Sequence, residues 1–119
     1  MSIYRASPYS DPNPAVEDSR FLDACRATAS LLARGLHVYS PIVHSHAICE
    51  ATGIMNRHWP GWYLHSSVML TSSAALYVLP LLGWRESVGV QAEIEQARGM
   101  QLPIRYVDPV TYCISERPE

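Results

Sequence analysis

The sequence predicts a single α/β domain with a three-layer Rossmann-like or flavodoxin-like architecture, in which helices cover a parallel sheet of four or five strands. Two observations lead to this fold class. The chain has 119 residues, 48% hydrophobic and 17% charged, which suits one domain with a modest core. Short apolar segments also alternate with segments of helical periodicity, and parallel strands require such crossovers.

The sequence contains four strand candidates, at residues 2–6, 37–39, 76–79 and 103–107. The run 76–79 is continuously apolar, which is typical of a parallel strand buried on both faces. Proline residues close to these segments indicate where the chain leaves the sheet.

Three segments have helical character. Residues 15–34 place Leu22, Cys25, Ala29 and Leu32 at helical spacing, and Gly35 follows as a stop signal. The other two helix candidates are residues 62–73 and 87–100.

The remaining segments are predicted to be irregular. Residues 42–60 are polar, rich in histidine and interrupted by Gly53, so we interpret them as a long functional loop or a broken helix. Residues 109–119 are expected to form a C-terminal arm of the single domain 1–119. Three loops, at 7–14, 40–60 and 80–87, follow strands, and ligands bind at the carboxyl ends of parallel strands.

Composition excludes several classes of function. The net charge is −2, and the nine basic residues are all arginines scattered along the chain, so a nucleic-acid partner is not expected. The longest apolar stretch, 74–83, is far shorter than the roughly 20 residues that span a bilayer. No secretory signal is recognisable, and the three cysteines lack a CxxC spacing. We therefore expect a cytoplasmic protein without a membrane partner and with reduced thiols.

The segment 83–98 carries the most specific chemical pattern. Ser87 suits a helix N-cap, and the N–H groups that follow it would attract an anion. Helical side chains lean towards the N-terminus, so Glu93 would reach back over Gly89, beside an unfilled space. A phosphorylated sugar would fit there. The alternative is that Gly89 only allows close packing and that Glu93 is a solvated surface charge.

Several segments resemble a known superfamily. Residues 87–93 are similar to the S-x-G-x-x-x-E segment of the nucleoside 2-deoxyribosyltransferase-like superfamily, and residues 3–10 are similar to its first strand and phosphate loop. Residues 40–46 and 83–89 resemble, more narrowly, a small bacterial and phage family of unknown function in that superfamily. The resemblance extends from Ile3 to about Asp108.

The resemblance implies an enzyme that cleaves the N-glycosidic bond of a nucleoside or nucleoside 5'-phosphate, by hydrolysis or by deoxyribosyl transfer. Glu93 would be the nucleophile at the anomeric carbon, with the Tyr4 hydroxyl beside it. The implied substrate-binding residues are Ser7, Tyr9, Ser10, Ser87 and Gly89.

One departure from the superfamily motivates a second hypothesis. Aspartates expected around the third strand are replaced by Ser66 and Ala74, and His65 or Glu86 would have to act as proton donor instead. The alternative function is therefore a non-catalytic nucleotide-binding or sensing module with the same pocket.

The histidines admit two interpretations. His44 and His46 are expected to line the pocket as neutral hydrogen-bonding partners or to cap the loop. Together with Cys49, His58 and His65 they could instead serve a metal-dependent hydrolase, but their spacing matches no strong zinc pattern. We expect no metal and no cofactor.

Aromatic residues concentrate near the predicted site. Trp59, Trp62, Tyr63 and Trp84 could stack on a nucleobase or belong to the core or a subunit contact. Because a core this small gains from shared apolar area, we expect a homodimer or homotetramer.

Overall fold

The computed structural model describes residues 1–118 and contains a five-stranded sheet in the order β2-β1-β3-β4-β5. The predicted α/β class is confirmed. The elements in chain order are β1 Ile3–Ala6, α1 Pro14–Ala33, β2 Val38–Tyr39, α2 Pro41–Thr52, α3 Gly61–Thr71, β3 Ala75–Val78, α4 Val88–Gly99, β4 Ile104–Val107 and β5 Ile114–Ser115. Within residues 1–118, no helix combines the length and the apolar character needed to cross a membrane.

Strand β1 is second in the sheet order and pairs in parallel with both β2 and β3. The chain leaves β1 towards β2 and later crosses back to β3, so the strand order reverses at this point. In open α/β sheets a crevice forms at such a reversal, outside the carboxyl ends of the strands.

The two faces of the sheet bury different clusters. On one face, Tyr4 and Ala6 of β1 pack with Leu70 of α3 and Ile94 of α4. Arg5 lies between Tyr4 and Ala6 in the strand, and side chains alternate across a strand, so it faces the opposite layer, where it contacts α1. Adjacent residues of β1 therefore pack into the helix layers on opposite faces of the sheet.

The expectation of a long loop at residues 42–60 was wrong for its first half, which forms α2. The Ser40 hydroxyl accepts a hydrogen bond from the Val43 N–H at 3.3 Å, and Pro41 occupies the first helical turn. Both are strong helix-start signals. Gly53, with φ of +65°, ends the helix, so the broken-helix alternative describes this region better and only residues 53–60 are irregular.

The predicted C-terminal arm at residues 109–119 contains a strand that the sequence analysis did not predict. It contains β5, which pairs antiparallel with β4 through Tyr106↔Ser115 and Val107↔Ile114. The Asp108 carboxylate accepts hydrogen bonds from the N–H groups of Val110 and Thr111, which turns the chain back. The sheet is thus parallel over four strands and antiparallel at the fifth; residue 119 of the predicted arm lies outside the described residues.

Candidate functional site

A cleft of about 620 Å³ opens at the carboxyl edge of the sheet. The loop after β1, the first turn of α2, residues 57–59, one face of α3 and the start of α4 form its walls. The predicted site residues that line it are Ser7, Tyr9, Ser10, Ser87, Gly89 and Glu93.

Glu93 lies in the second turn of α4 and is hydrogen-bonded to the Tyr4 hydroxyl, which donates to Oε2. The predicted pair of Tyr4 and Glu93 is thus brought into contact, with Tyr4 beneath the carboxylate and fully buried. Burial raises the pKa of Glu93 to about 7, and the Tyr4 hydrogen bond and the charge of Arg5 oppose this shift. The carboxyl group therefore titrates near neutral pH, as acid–base and nucleophilic groups of active sites commonly do.

Tyr4 stays protonated beside this carboxylate. Burial, followed by the charge of Glu93, raises the pKa of Tyr4 far above its ordinary value, and a hydrogen bond with Ser66 lowers it in part. The ring of Tyr39 lies 5.7 Å from that of Tyr4. Ser66 of α3, which lines the cleft, thus acts on the tyrosine that holds Glu93.

The start of α4 forms one rim of the cleft. The Ser87 hydroxyl accepts a hydrogen bond from the Val90 N–H at 3.2 Å and so caps the helix, while N–H groups in the first turn of a helix have no intrahelical acceptor. A Cβ atom added at Gly89 would meet nothing closer than the Ser87 Oγ at 4.0 Å. Gly89 therefore leaves open space beside donors that suit an anion.

The loop after β1 forms the opposite rim. Ser7 is only 5% exposed, and within residues 1–118 its hydroxyl has no hydrogen-bond partner. Arg20 of α1 fixes the loop, because its guanidinium donates to the carbonyl oxygens of Tyr9 and Ser10, each at 3.1 Å, and to that of Leu82. This loop is consequently tied to the loop after β3.

The two histidines form a second layer behind the cleft wall. His46 is buried, shares a hydrogen bond of 2.7 Å with the Tyr9 hydroxyl and stacks on Phe21. His44 stacks on His65 at a centroid distance of 5.2 Å, and burial lowers the pKa of His44. Neither lies among the cleft-lining residues, so direct contact of His44 or His46 with a ligand stays a prediction.

Arg57 is a cleft-lining residue that sequence reasoning missed. Its guanidinium contacts Glu17 at 3.1 Å and Asp18 at 2.6 Å on α1, and it also contacts Glu50 on α2. The potential ligand atoms of Asp18, His46 and Glu50 lie within 4.8 Å of one another, but the arginine already supplies these carboxylates with a cation. We therefore interpret the group as an ion-pair cluster that fixes residues 57–59 at the cleft wall.

Residues 1–108 match the family described as Domain of unknown function (DUF1937). The chain belongs to this family. No curated protein gives a significant match to the DUF1937 chain. The matched region contains the whole lining of the cleft, whereas β5 lies beyond it.

Three arginines of this DUF1937 domain make buried or loop-fixing contacts near the cleft that the sequence analysis did not predict. Arg5 had a signal, since a charged residue within the short apolar strand candidate at residues 2–6 is unusual and must find polar partners. No comparable sequence signal exists for Arg20 and Arg57, because their partners lie up to 62 residues away in the chain.

Proposed function

We propose that this DUF1937 domain cleaves N-glycosidic bonds of nucleosides or nucleoside 5'-phosphates, as a hydrolase or deoxyribosyltransferase, through Glu93. The observation that carries the proposal is the position of the Glu93 carboxyl group in a cleft, held by the buried Tyr4 and with a pKa of about 7. A carboxylate that is partly desolvated and oriented by a fixed donor is suited to attack an anomeric carbon.

The proposed reaction has two steps. A Glu93 oxygen forms a bond to the anomeric carbon while the bond to the base nitrogen breaks, and the base leaves with the bonding electrons and takes up a proton. Water or a second base then displaces the glutamate from the glycosyl ester. Tyr4 donates its hydrogen bond to one carboxylate oxygen, which fixes the orientation of the other.

The two rims of the cleft support a nucleotide as substrate. Ser7 and Ser10 on one rim and the start of α4 on the other offer hydroxyl and N–H donors to a 5'-phosphate. The cleft wall also includes Trp59 and Trp62, whose rings lie 5.3 Å apart in an edge-to-face arrangement. A nucleobase could stack on these rings.

Glu86 supports the enzymatic reading as proton donor to the leaving base, because it lines the cleft together with Glu93. His65, the other residue that could replace the missing aspartate, stacks on His44 and does not line the cleft.

The second candidate function is a nucleotide-binding module without catalysis. It is favoured by Ser66, a residue that cannot serve as a general acid at neutral pH, at a position where the superfamily resemblance implies an aspartate.

The proposal is tested by incubating the protein with nucleosides and nucleoside 5'-monophosphates and measuring free base by chromatography. We expect base release by the wild type and none above background by Glu93→Gln. Glu95→Gln is the matched control, because Glu95 lies on the same helix but is exposed to solvent. Base release that is equal in the wild type and Glu93→Gln, or absent in both, rejects the enzymatic proposal.

The binding module predicts a different result in the same samples. Nucleotides would raise the melting temperature of both wild type and Glu93→Gln, since ligand binding stabilises the folded state by mass action, while no base appears. An absence of any nucleotide-dependent shift rejects both candidate functions.

Gly89→Ala tests whether a ligand approaches the start of α4 closely. We expect the variant to fold with unchanged or slightly higher stability, by up to about 1 kcal/mol, because alanine is the better helix former and the added methyl group meets no close atom. Nucleotide affinity, measured by calorimetry, should fall at least about tenfold because the methyl group occupies the proposed phosphate position. Unchanged nucleotide affinity would show that Gly89 does not lie next to the bound ligand.

The homodimer or homotetramer stays a prediction. Helix α3 exposes Tyr63, Leu64 and Val68 to solvent, and a second copy that covers them would bury an apolar stripe. Sedimentation equilibrium should give a multiple of 13.3 kDa for the wild type and a smaller particle for Leu64→Glu. A monomeric wild type would contradict the prediction.

A further inference from the structure

The ring of Trp59, at the cleft wall, packs with one face against the backbone of Gly61. A Cβ atom added at Gly61 would lie within 2.6 Å of three consecutive carbons of the six-membered ring of Trp59, Cζ2, Cη2 and Cζ3. Such similar distances to three neighbouring atoms place the Cβ position over the face of the ring and not at its edge. Only a glycine therefore allows the indole ring to lie against the start of α3 in this way.

Trp62 holds the ring of Trp59 from a second direction. The two rings lie 5.3 Å apart at an interplanar angle of 89°, and the Trp62 Nε1 donates a hydrogen bond to the Asn56 carbonyl oxygen at 3.3 Å. Trp59 nevertheless stays 42% exposed, and its side chain lines the cleft. A tryptophan that its neighbours already fix loses little conformational entropy when a flat ligand covers it.

The cleft residues that could read the edge of a base already have partners within the protein. Amide and guanidinium groups read bases through paired hydrogen bonds. Among the described residues that line the cleft, Gln96 carries the only side-chain amide, and its oxygen and nitrogen both bond to α3. Arg57 is already paired with carboxylates, and the Tyr9 hydroxyl shares its hydrogen bond with His46. A base in this cleft would therefore be recognised mainly by its ring face.

We propose that Trp59 determines which bases the site accepts, as a stacking platform positioned by Gly61, and that the site prefers purines to pyrimidines without distinguishing adenine from guanine. The inference rests on the proposed function, for which it specifies the base. A bicyclic purine covers more of an indole ring than a pyrimidine does, and the free energy of stacking rises with the apolar area covered. Because every base has such a face, stacking separates bases by size and not by the hydrogen-bonding groups at their edges.

The base preference is tested by calorimetric titration of Glu93→Gln, which cannot release the base by the proposed mechanism, with dAMP, dGMP, dCMP and dTMP. We expect dAMP and dGMP to bind within about threefold of each other and at least about tenfold more tightly than dCMP or dTMP. Trp59→Leu in this background should weaken purine binding at least about tenfold and remove the purine preference. Trp84→Leu is the matched control, because Trp84 packs on Tyr106 and does not line the cleft, and it should preserve the preference.

Gly61→Ala separates this role from a general effect on folding. Alanine is the better helix former, but its methyl group would overlap the ring of Trp59, so the ring has to move away. We expect Gly61→Ala to remove the purine preference as Trp59→Leu does, and to have no further effect when the two are combined. Gly99→Ala, at a helical glycine with open space around its Cβ position, is the control and should bind all the nucleotides like Glu93→Gln alone.

The outcomes distinguish this inference from the proposed function. Equal affinity for purines and pyrimidines in Glu93→Gln, or a purine preference that survives in Trp59→Leu, overturns the role of Trp59 while nucleotide binding stands. An adenine–guanine difference above about tenfold overturns it too, because it would show that hydrogen bonds read the base edge. If Trp59→Leu does not fold, Gly61→Ala is judged by the same criterion. Binding of none of the nucleotides rejects the proposed function and this inference together.

Discussion

Replacing Glu93 with glutamine is expected to slow base release by at least about a thousandfold and, above neutral pH, to make the protein more stable. Glutamine keeps an oxygen that accepts the hydrogen bond of Tyr4 but cannot form the glycosyl ester. It also removes an ionisable group from a site that disfavours the charged form. The same desolvation that is proposed to activate Glu93 thus costs stability, a trade-off that is common at active sites.

The sign of the pH dependence follows from the raised pKa. The ordinary value of 4.5 rises to about 7 in the folded protein, so the folded state holds a proton that the unfolded state has lost between these two pH values. Stability from this group is full below pH 4.5 and falls as the pH rises through 7. With about 1.4 kcal/mol per unit of pKa, the raised pKa of Glu93 lowers the free energy of unfolding by about 3 kcal/mol at pH 8 and by less than about 1 kcal/mol at pH 5.

Urea unfolding of wild type and Glu93→Gln at both pH values checks this expectation. The advantage of the variant should be large at pH 8 and small at pH 5, whereas Glu95→Gln should match the wild type at both, because Glu95 is exposed. An advantage that does not change with pH would mean that Glu93 titrates like an ordinary surface carboxyl group. Under the proposed function, base release should rise with pH through about 7 as Glu93 ionises.

Arg57→Met is expected to lower the free energy of unfolding by about 3 kcal/mol. Glu17 is the reason, because its side chain is 3% exposed and would lose its arginine while keeping only the Asp11 N–H and the exposed His58 as polar contacts. Asp18 and Glu50 are both 55% exposed, so water can solvate them when the arginine is absent. The loss should therefore come mainly from one buried carboxylate.

A double-mutant cycle tests this assignment. Glu17→Gln removes the buried charge, so adding Arg57→Met to that variant should cost much less than adding it to the wild type. Arg98→Met, which breaks an exposed pair with Glu95, is the control and should change stability by less than about 1 kcal/mol. Equal losses from Arg57→Met in both backgrounds would show that packing of the arginine stem, and not Glu17, determines its contribution.

The fold was predictable where local signals agree. Alternating apolar strands and periodic helices identified four strands and three of the four helices. Helix α2 was missed although Ser40, Pro41 and Gly53 mark its ends, because three polar residues among its first six, His44 to His46, weakened the apolar pattern. Strand β5 has two residues and depends on the turn made by Asp108, so its own sequence carries almost no signal.

The candidate site was predictable only in part. The contact between Tyr4 and Glu93 was expected from a resemblance, since no local pattern relates residues 89 positions apart. His44 and His46 were placed at the pocket because of their chemistry, yet α2 turns both towards neighbouring aromatic rings. The arginines that hold the cleft walls depend on distant partners, and only the folded chain brings these together.

The sheet ends on both sides in strands of only two residues, β2 and β5. Unpaired strand edges invite joining with other chains, and very short edges are one way in which natural proteins limit aggregation. A neighbouring molecule would find few free backbone groups there to pair with. Self-association of this protein should therefore proceed through helix surfaces and not through the edges of the sheet.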